Sequence, residues 1–372
     1  MAGFTPPPYP YDRLAPLQRA ASELPGGLVD LSIGTPFDPP PAIVEAALAD
    51  ADSARSYPPS LGTAAYRTAA AGWIQRRFGA DLPIEAVAAC MGTKELVAGV
   101  PHWLRLRTPE RDTVLYPAIS YPTYAMGAQL GGCRAVPVPL DDAGRLDLGA
   151  IRAEDADRAL VLWANSPGNP TGALDDLGAV AAWGRAHGVP VFSDECYVEF
   201  TWDGPPRTIL EHGTEGVIAV HSLSKRSNLA GARCGFYAGD ADLVHYLGQL
   251  RKHAGFMVPG PVQAAAVVAL GDDVHVDQQR ERYRTRLTTL AAALAGAGIP
   301  APLPGGAFYL WVPAPGGDGA ALTTRLAEQA GILGTPGGTY GTAGEGFVRL
   351  ALVQPDDRIA LAATRLAAAH LG

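Results

Sequence analysis

Lysine is almost absent from this 372-residue chain: only Lys94, Lys225 and Lys252 occur, and 26 of the 29 basic residues are arginine. Cysteine is scarce as well. The thiols of Cys90, Cys133, Cys196 and Cys234 lie far apart with no CxxC pair. That argues against a disulfide framework or a thiolate zinc site and suits reduced thiols in a cytoplasm. The eight histidines show no HExxH or comparable spacing, so no metal site is expected. No block of basic residues occurs and the net charge is −8, which argues against nucleic acid as a partner. No apolar stretch approaches the roughly 18 residues that a membrane span requires. The opening "MAGFTPPPYPYDRLAPL" lacks the basic start and apolar run of a secretory leader. The expectation is a cytoplasmic protein with no membrane partner.

What is present fits a globular enzyme-sized chain. Hydrophobic residues make up 48% and charged residues 18%, enough apolar surface to build a large core and too much for a disordered chain. The proline-rich opening is expected to lie extended, since proline disfavours regular helix. From about residue 60, helical and strand-like segments alternate. "GTAAYRTAAAGWIQRRFGA" and "KELVAGVPHWLRL" read as helices, and "DDLGAVAAWGRAHG" as another, closed by Gly188. The short apolar runs "TVLYPA", "RAVPVPL", "ALVLWANS", "VPVFSDE" and "GVIAVHSL" read as strands. Strands apolar on both faces and separated by helices predict an α/β fold with a largely parallel sheet covered on both sides. A long charged helix, "DQQRERYRTRLTTLAAALAGAG", precedes a second alternation that reads as a smaller α/β domain. The expected division is an N-terminal segment 1–45 joining the small domain, a large domain 46–280, and a C-terminal small domain 281–372.

Against the scarcity of lysine, Lys225 in "HSLSKRSNLAGARCGF" stands out. Lysine can become a neutral amine nucleophile, which arginine cannot. A lone lysine is ordinarily a solvated surface charge, but its neighbours alter that reading. Ser222, Ser224 and Arg233 together make a cradle for a phosphate dianion, with arginine as the permanently charged, bidentate partner. Two further polar clusters, "ANSPGNPTG" and "SDECY", also follow predicted strands. Ligands of an open parallel sheet bind at such strand ends. Asp194 in "SDECY" is a strand-end carboxylate that needs a cationic or donor partner, or else serves as a helix cap. Tyr197 either reaches the same ligand or packs in the core. Asn169 in "GNPTG" offers a side-chain amide or simply makes a turn. "MGTKEL" places Thr93 and Lys94 at a helix start, where free backbone N–H groups bind phosphate or merely accept a cap.

The order "SYPTY", "NPTG", "DECY", "SLSK" with Arg233, then "GGAFYLW" and "FVRLAL", resembles the class I/II, fold-type I pyridoxal-phosphate aminotransferases over nearly the whole chain. The resemblance implies a large domain with a mostly parallel seven-stranded sheet between helices, plus a smaller α/β domain, and pyridoxal 5'-phosphate as cofactor. It implies that Lys225 is the Schiff-base lysine, that Asp194 pairs the ring nitrogen, and that Asn169 and Tyr197 bond the phenolic oxygen. Tyr121 would stack on the ring. Thr93, Lys94, Ser222, Ser224 and Arg233 would hold the phosphate. Tyr57 in "SYPPSLGTAAYR" resembles the tyrosine that reaches the phosphate of a neighbouring subunit, implying a homodimer. Arg349 resembles the arginine that clamps the substrate α-carboxylate, with Gly34 offering a backbone contact and Asn169 also facing substrate.

Within the family, "VDLSIGTP", "GTKEL", "SDECY", "AVHSLSKRSNLAGARCGF" and "RKHAGFMVPGPVQAA" resemble the actinobacterial N-succinyldiaminopimelate aminotransferases. The implied reaction is ping-pong transfer of an amino group from glutamate to N-succinyl-2-amino-6-oxopimelate, in lysine biosynthesis. Arg226 directly after the lysine is a departure from the pattern. Arg13, Lys94 and Lys252 are candidates for the distal carboxylate. The competing readings are a specialised-metabolism relative (an aminotransferase, lyase or cyclase on another amino acid) and a non-catalytic regulator on the same fold. The acidic charge balance and the presence of Lys225 argue against the regulator. The absence of a GxGxxG after an early strand argues against a dinucleotide-binding dehydrogenase.

Overall fold

The computed structural model describes residues 4–49, 55–369 and 371. Two compact units account for the chain. One is Met1–Gly34, Tyr283–Leu303 and Phe308–Gly372, and the other is Thr35–Arg282 with Pro304–Ala307.

In the first unit, β1 (Val29–Asp30) pairs in parallel with β10 (Ile332–Leu333). A separate antiparallel sheet is formed by β11 (Thr335–Pro336), β12 (Phe347–Ala351) and β9 (Tyr309–Pro313). The proline-rich opening is not extended throughout. A short 3-10 turn forms at Pro10–Leu14, followed by the helix Ala15–Ser22. Both carry proline at the first or second position, where its missing N–H would go unused and its fixed φ suits a helix start.

The second unit is built on a seven-stranded sheet, as the resemblance implied. In chain order its strands are β2 (Val87–Cys90), β3 (Thr113–Pro117), β4 (Arg134–Val138), β5 (Ala159–Asn165), β6 (Val191–Asp194), β7 (Val217–Ser222) and β8 (Gly235–Gly239). Their spatial order is β2-β8-β7-β6-β5-β3-β4. Every pairing is parallel except the two made by β8, which is antiparallel to both β2 and β7. The five apolar runs named above form β3 to β7. The sequence reading passed over β2 and β8, one a four-residue run of small residues and the other bounded by glycine at both ends.

Two-sided burial explains the continuous apolar character of the central strands. All residues of β5 and β7 are buried. Along β7, Val217 and Ala219 join one core while Ile218 and Val220 join the core on the opposite face. The helices begin and end where the sequence indicates. Thr63 accepts the Tyr66 N–H at 3.2 Å to cap Ala64–Phe78. Asp176 caps Leu177–His187, and Gly188 closes that helix at φ 59°. No helix among the described residues is long and apolar enough to cross a membrane.

Candidate active site

Three adjacent parallel strands deliver their last residues to one edge of the sheet. Asn165 at the end of β5 is opposite Asp194 at the end of β6, and Asp194 is opposite Val220 of β7. Ser222 ends β7, and the chain turns at once into the short helix Leu223–Arg226 that carries Lys225. Ser222 accepts the Ser224 backbone N–H at 3.1 Å, which shapes this turn. The polar clusters noted in the sequence are thus neighbours in space because their strands are.

Asn165 ties two of them together. Its amide nitrogen donates to the Asp194 carbonyl at 2.8 Å, and its side-chain oxygen accepts the Asn169 N–H at 2.8 Å. The Asn169 amide in turn donates to the Tyr197 hydroxyl at 3.4 Å. Asn169 and Tyr197, 28 positions apart, therefore face a common point beside Asp194. Two cis peptide bonds, Ser166–Pro167 and Asn169–Pro170, occur in this segment.

The Asp194 side chain is partly exposed, yet protein crowds its carboxylate closely enough for burial to raise its pKa. The Cys196 backbone N–H, donating at 3.2 Å, the Tyr124 hydroxyl, donating at 2.9 Å, and the charge of Lys225 pull it back down. A carboxylate held this way favours a cationic partner on its open side. Directly behind it, Glu195 and His221 form a wholly buried pair with Oε2 and Nε2 3.5 Å apart. Burial raises Glu195 to about 7 and lowers His221 to about 3, so it favours the neutral form of both side chains.

On the other side stands the start of helix Thr93–Arg107. Its cap, Gly92, has φ 78° and ψ 153°, a conformation essentially restricted to glycine. A Cβ at this position would lie 2.8 Å from Cζ of Arg233. The Arg233 guanidinium therefore rests directly over the helix start, where orphan N–H groups and the helix dipole already favour an anion. Thr93 Oγ1 accepts from Cys196 Sγ at 3.4 Å, bringing this helix start to the end of β6. The Lys94 ammonium lies 5.6 Å from the ring centre of Tyr121. Tyr57 belongs to the same unit and is 94% exposed. Lys252 is exposed on the helix Ala241–His253.

Arg349, Gly34 and Arg13 belong to the other unit. Arg349 is 1% exposed, and its guanidinium stacks 4.5 Å from the Tyr309 ring centre and 4.9 Å from that of Tyr340. It donates to the Ser32 carbonyl. The Tyr340 hydroxyl lies 3.2 Å from that of Tyr11, and burial raises the Tyr340 pKa well above its usual value. A Cβ on Gly34 would collide with the Tyr309 hydroxyl, so only glycine lets this backbone come so close. Arg13 is exposed.

Sequence reasoning missed Asn165, Tyr124, Cys196, Tyr309 and Tyr340. Tyr124 stands three residues after Tyr121 in "SYPTY", a helical spacing that could have flagged it. Tyr309 and Tyr340 act through Arg349, while Asn165 and Cys196 join local contacts to partners 29 and 103 positions away.

The assembled groups fit pyridoxal phosphate. The glycine-only helix start under Arg233 suits the phosphate, the Asp194 carboxylate suits a protonated ring nitrogen, the Asn169–Tyr197 pair suits a phenolic oxygen, and Lys225, whose charge acts on Asp194, suits attachment through an amine. Comparison with known proteins agrees. Residues 27–366 match the family model described as aminotransferase class I and II. The chain is 43% identical to 4-dedimethylamino-4-oxo-anhydrotetracycline transaminase OxyQ of Streptomyces rimosus, over 97% of this chain and 99% of that protein. It is 38% identical to LL-diaminopimelate aminotransferase of Desulforudis audaxviator, over 97% of this chain and 95% of that one. Its fold superposes with a TM-score of 0.86 on a probable N-succinyldiaminopimelate aminotransferase from Thermus thermophilus, at 32% identity, covering 97% of this chain and all of that one.

Proposed function

The chain belongs to the class I and II aminotransferases, which use pyridoxal phosphate, and within that family we propose that it moves an amino group from glutamate to N-succinyl-2-amino-6-oxopimelate. That reaction yields N-succinyl-LL-2,6-diaminopimelate, EC 2.6.1.17. The observation that carries the site assignment is the convergence of Asn169, Asp194, Tyr197 and Lys225 at adjacent strand ends, opposite the Gly92–Arg233 cradle. The acceptor is supported by the motif resemblance and by likeness to two relatives whose names specify a diaminopimelate skeleton.

When bound, the cofactor supplies an electron sink for charge released at the substrate α-carbon. The protein residues do the rest. Lys225 would hold the cofactor through its amine, and as a free amine it would carry the proton from the substrate α-carbon to the cofactor carbon. Asp194 would keep the ring nitrogen protonated, and Tyr124 and the Cys196 N–H keep Asp194 in place. Asn169 and Tyr197 would donate to the phenolic oxygen, and Tyr121 would cover the ring face. Backbone amides of Thr93 and Lys94, with Ser222, Ser224 and Arg233, would hold the phosphate. Arg349, stacked on two tyrosine rings, would receive the substrate α-carboxylate, with Gly34 of the same unit offering a backbone contact, a positioning effect on the bond to be broken. Tyr57 reaches the phosphate of a second subunit, a reading supported by its exposure on the protomer.

A second reading has its own support in the 43% identity to OxyQ: an amino acceptor from specialised metabolism, with the same donor half-reaction. Purified protein is incubated with glutamate, and conversion of the bound cofactor to its amine form is followed by absorbance. The aminated protein is then offered N-succinyl-2-amino-6-oxopimelate beside a panel of other keto compounds. Turnover of the succinylated keto acid supports the first reading. Failure on it with success on another compound replaces the acceptor and leaves the donor chemistry standing.

A further inference from the structure

Arg226 directly follows Lys225, and Glu199 lies two residues after Tyr197 in the 3-10 turn Val198–Phe200. Lys225 and Tyr197 border the ligand site, yet these two neighbours point inward. Arg226 is 3% and Glu199 2% exposed. Arg226 Nε lies 3.4 Å from Glu199 Oε1. Its Nη1 donates to the Ala269 carbonyl at 2.6 Å and to Ser227 Oγ at 3.1 Å, and its guanidinium stands 5.4 Å from the Trp73 ring centre. Glu199 is held from two more sides. Trp73 Nε1 donates to Oε1 at 2.7 Å, and Arg77 Nε donates to Oε2 at 2.9 Å.

A buried ion pair rarely adds net stability, because desolvation offsets the attraction. What it supplies is a fixed register between the two segments that carry the charges. Here those segments are the turn bearing Lys225 and the turn bearing Tyr197, 28 positions apart in sequence. We propose that the Glu199–Arg226 pair is a positioning device that holds the Lys225 amine and the Tyr197 hydroxyl at one set spacing. It acts through those two residues and touches neither substrate nor cofactor. The proposal rests on the roles given above to Lys225 and Tyr197. It also accounts for the arginine after the lysine, which the motif resemblance alone leaves unexplained.

The test uses purified, cofactor-loaded Arg226→Lys and the double variant Glu199→Gln/Arg226→Met, which removes both buried charges together and leaves the partly exposed Arg77 and Asp273 beside them. Each is compared with wild type and with Arg107→Gln, which removes an exposed pair with Asp242 and a stacking contact with Tyr246. Three quantities are read: the pH midpoint of the bound cofactor's visible absorbance, the rate of the half-reaction at saturating glutamate, and the melting temperature. The expected result for the double variant is a midpoint shifted by about half a pH unit or more. Its saturating rate should be lowered roughly tenfold or more, with a much smaller change in KM for glutamate. Arg226→Lys, which keeps the charge but loses the planar fork, should fall between this variant and wild type. Variants that melt lower but keep the wild-type pH midpoint and saturating rate would overturn the proposal and reduce the pair to packing.

Lys225→Ala is run in parallel with borohydride trapping. If it still attaches the cofactor covalently, the underlying assignment of Lys225 fails and the positioning proposal goes with it. If attachment is lost, the pair variants alone decide.

Discussion

At the scale of single residues, the ligand site is governed by how burial and neighbouring donors set the charge of a few acids. Asp194 is the acid on which the proposed chemistry depends most. Its carboxylate is kept in place by Tyr124 and the Cys196 N–H, and replacing it with a neutral isostere keeps the shape but removes the charge. Asp194→Asn should slow the glutamate half-reaction by roughly 10²–10³-fold, the scale of losing a preorganised electrostatic partner. Stopped-flow absorbance on cofactor-loaded protein measures this.

The Glu195–His221 pair makes a prediction about pH and stability. Glu195 is raised from its usual 4.5 to about 7, so it favours the folded state below 4.5 and loses that contribution as pH rises through 7. His221 is lowered from its usual 6.5 to about 3, so its contribution is present above 6.5 and is lost as pH falls toward 3. Between 4.5 and 6.5 these opposite slopes cancel, because folding only moves one proton from the histidine to the glutamate. Glu195→Gln leaves the histidine slope alone. Relative to wild type, its unfolding free energy should therefore climb by about 1.4 kcal/mol per pH unit across that window. Guanidinium unfolding at a series of pH values reads the difference, and parallel curves for the two proteins would refute it.

At the scale of elements, the proposed phosphate cradle is a helix start made usable by one glycine. Gly92 has a backbone conformation that other residues adopt only at a cost of about 1–3 kcal/mol, and a Cβ there meets the Arg233 guanidinium. Gly92→Ala should weaken cofactor binding by the apoprotein by about tenfold or more. Titration of apoprotein with pyridoxal phosphate is the measurement, and unchanged affinity would remove the helix start from the cradle. The cradle was partly visible in "MGTKEL", because a glycine before a polar helix start is a local signal. Its juxtaposition with Arg233 was not, since that contact joins positions 141 apart. The same holds for Tyr124 and Asp194, 70 positions apart, and for Cys196 and Thr93, 103 apart. The strands β2 and β8 escaped notice for a different reason. One is a run of small residues and the other is bounded by glycine at both ends, so neither carries the dense large apolar side chains of the other strands, and pairing with each other and of β8 with β7 sets their place.

At the scale of the whole molecule, the exposed Tyr57 ring carries the expectation of a second subunit. Sedimentation should give about twice the protomer mass of 38.7 kDa. Tyr57→Ala should raise the pyridoxal phosphate concentration needed for half-loading by several-fold, the loss expected for one hydrogen bond to a charged phosphate. A fully active monomer would refute the subunit reading while leaving the fold and the cofactor untouched.

The sequence by itself determined the class of chemistry. A rare lysine among serines, followed by an arginine and preceded by two polar clusters at strand ends, pointed to the proposed amine, acid and phosphate partners, because catalytic groups must be of particular residue types in a particular chain order. The local caps and the apolar runs of β3 to β7 were legible for the same reason, since they depend on neighbours in the chain. Only the tertiary structure decided which residues keep those groups in place. Asn165, Tyr124, Cys196, Glu199 and Arg226 each act across a gap in sequence, and burial and hydrogen bonding bring such pairs together only once the sheet has set its strand order.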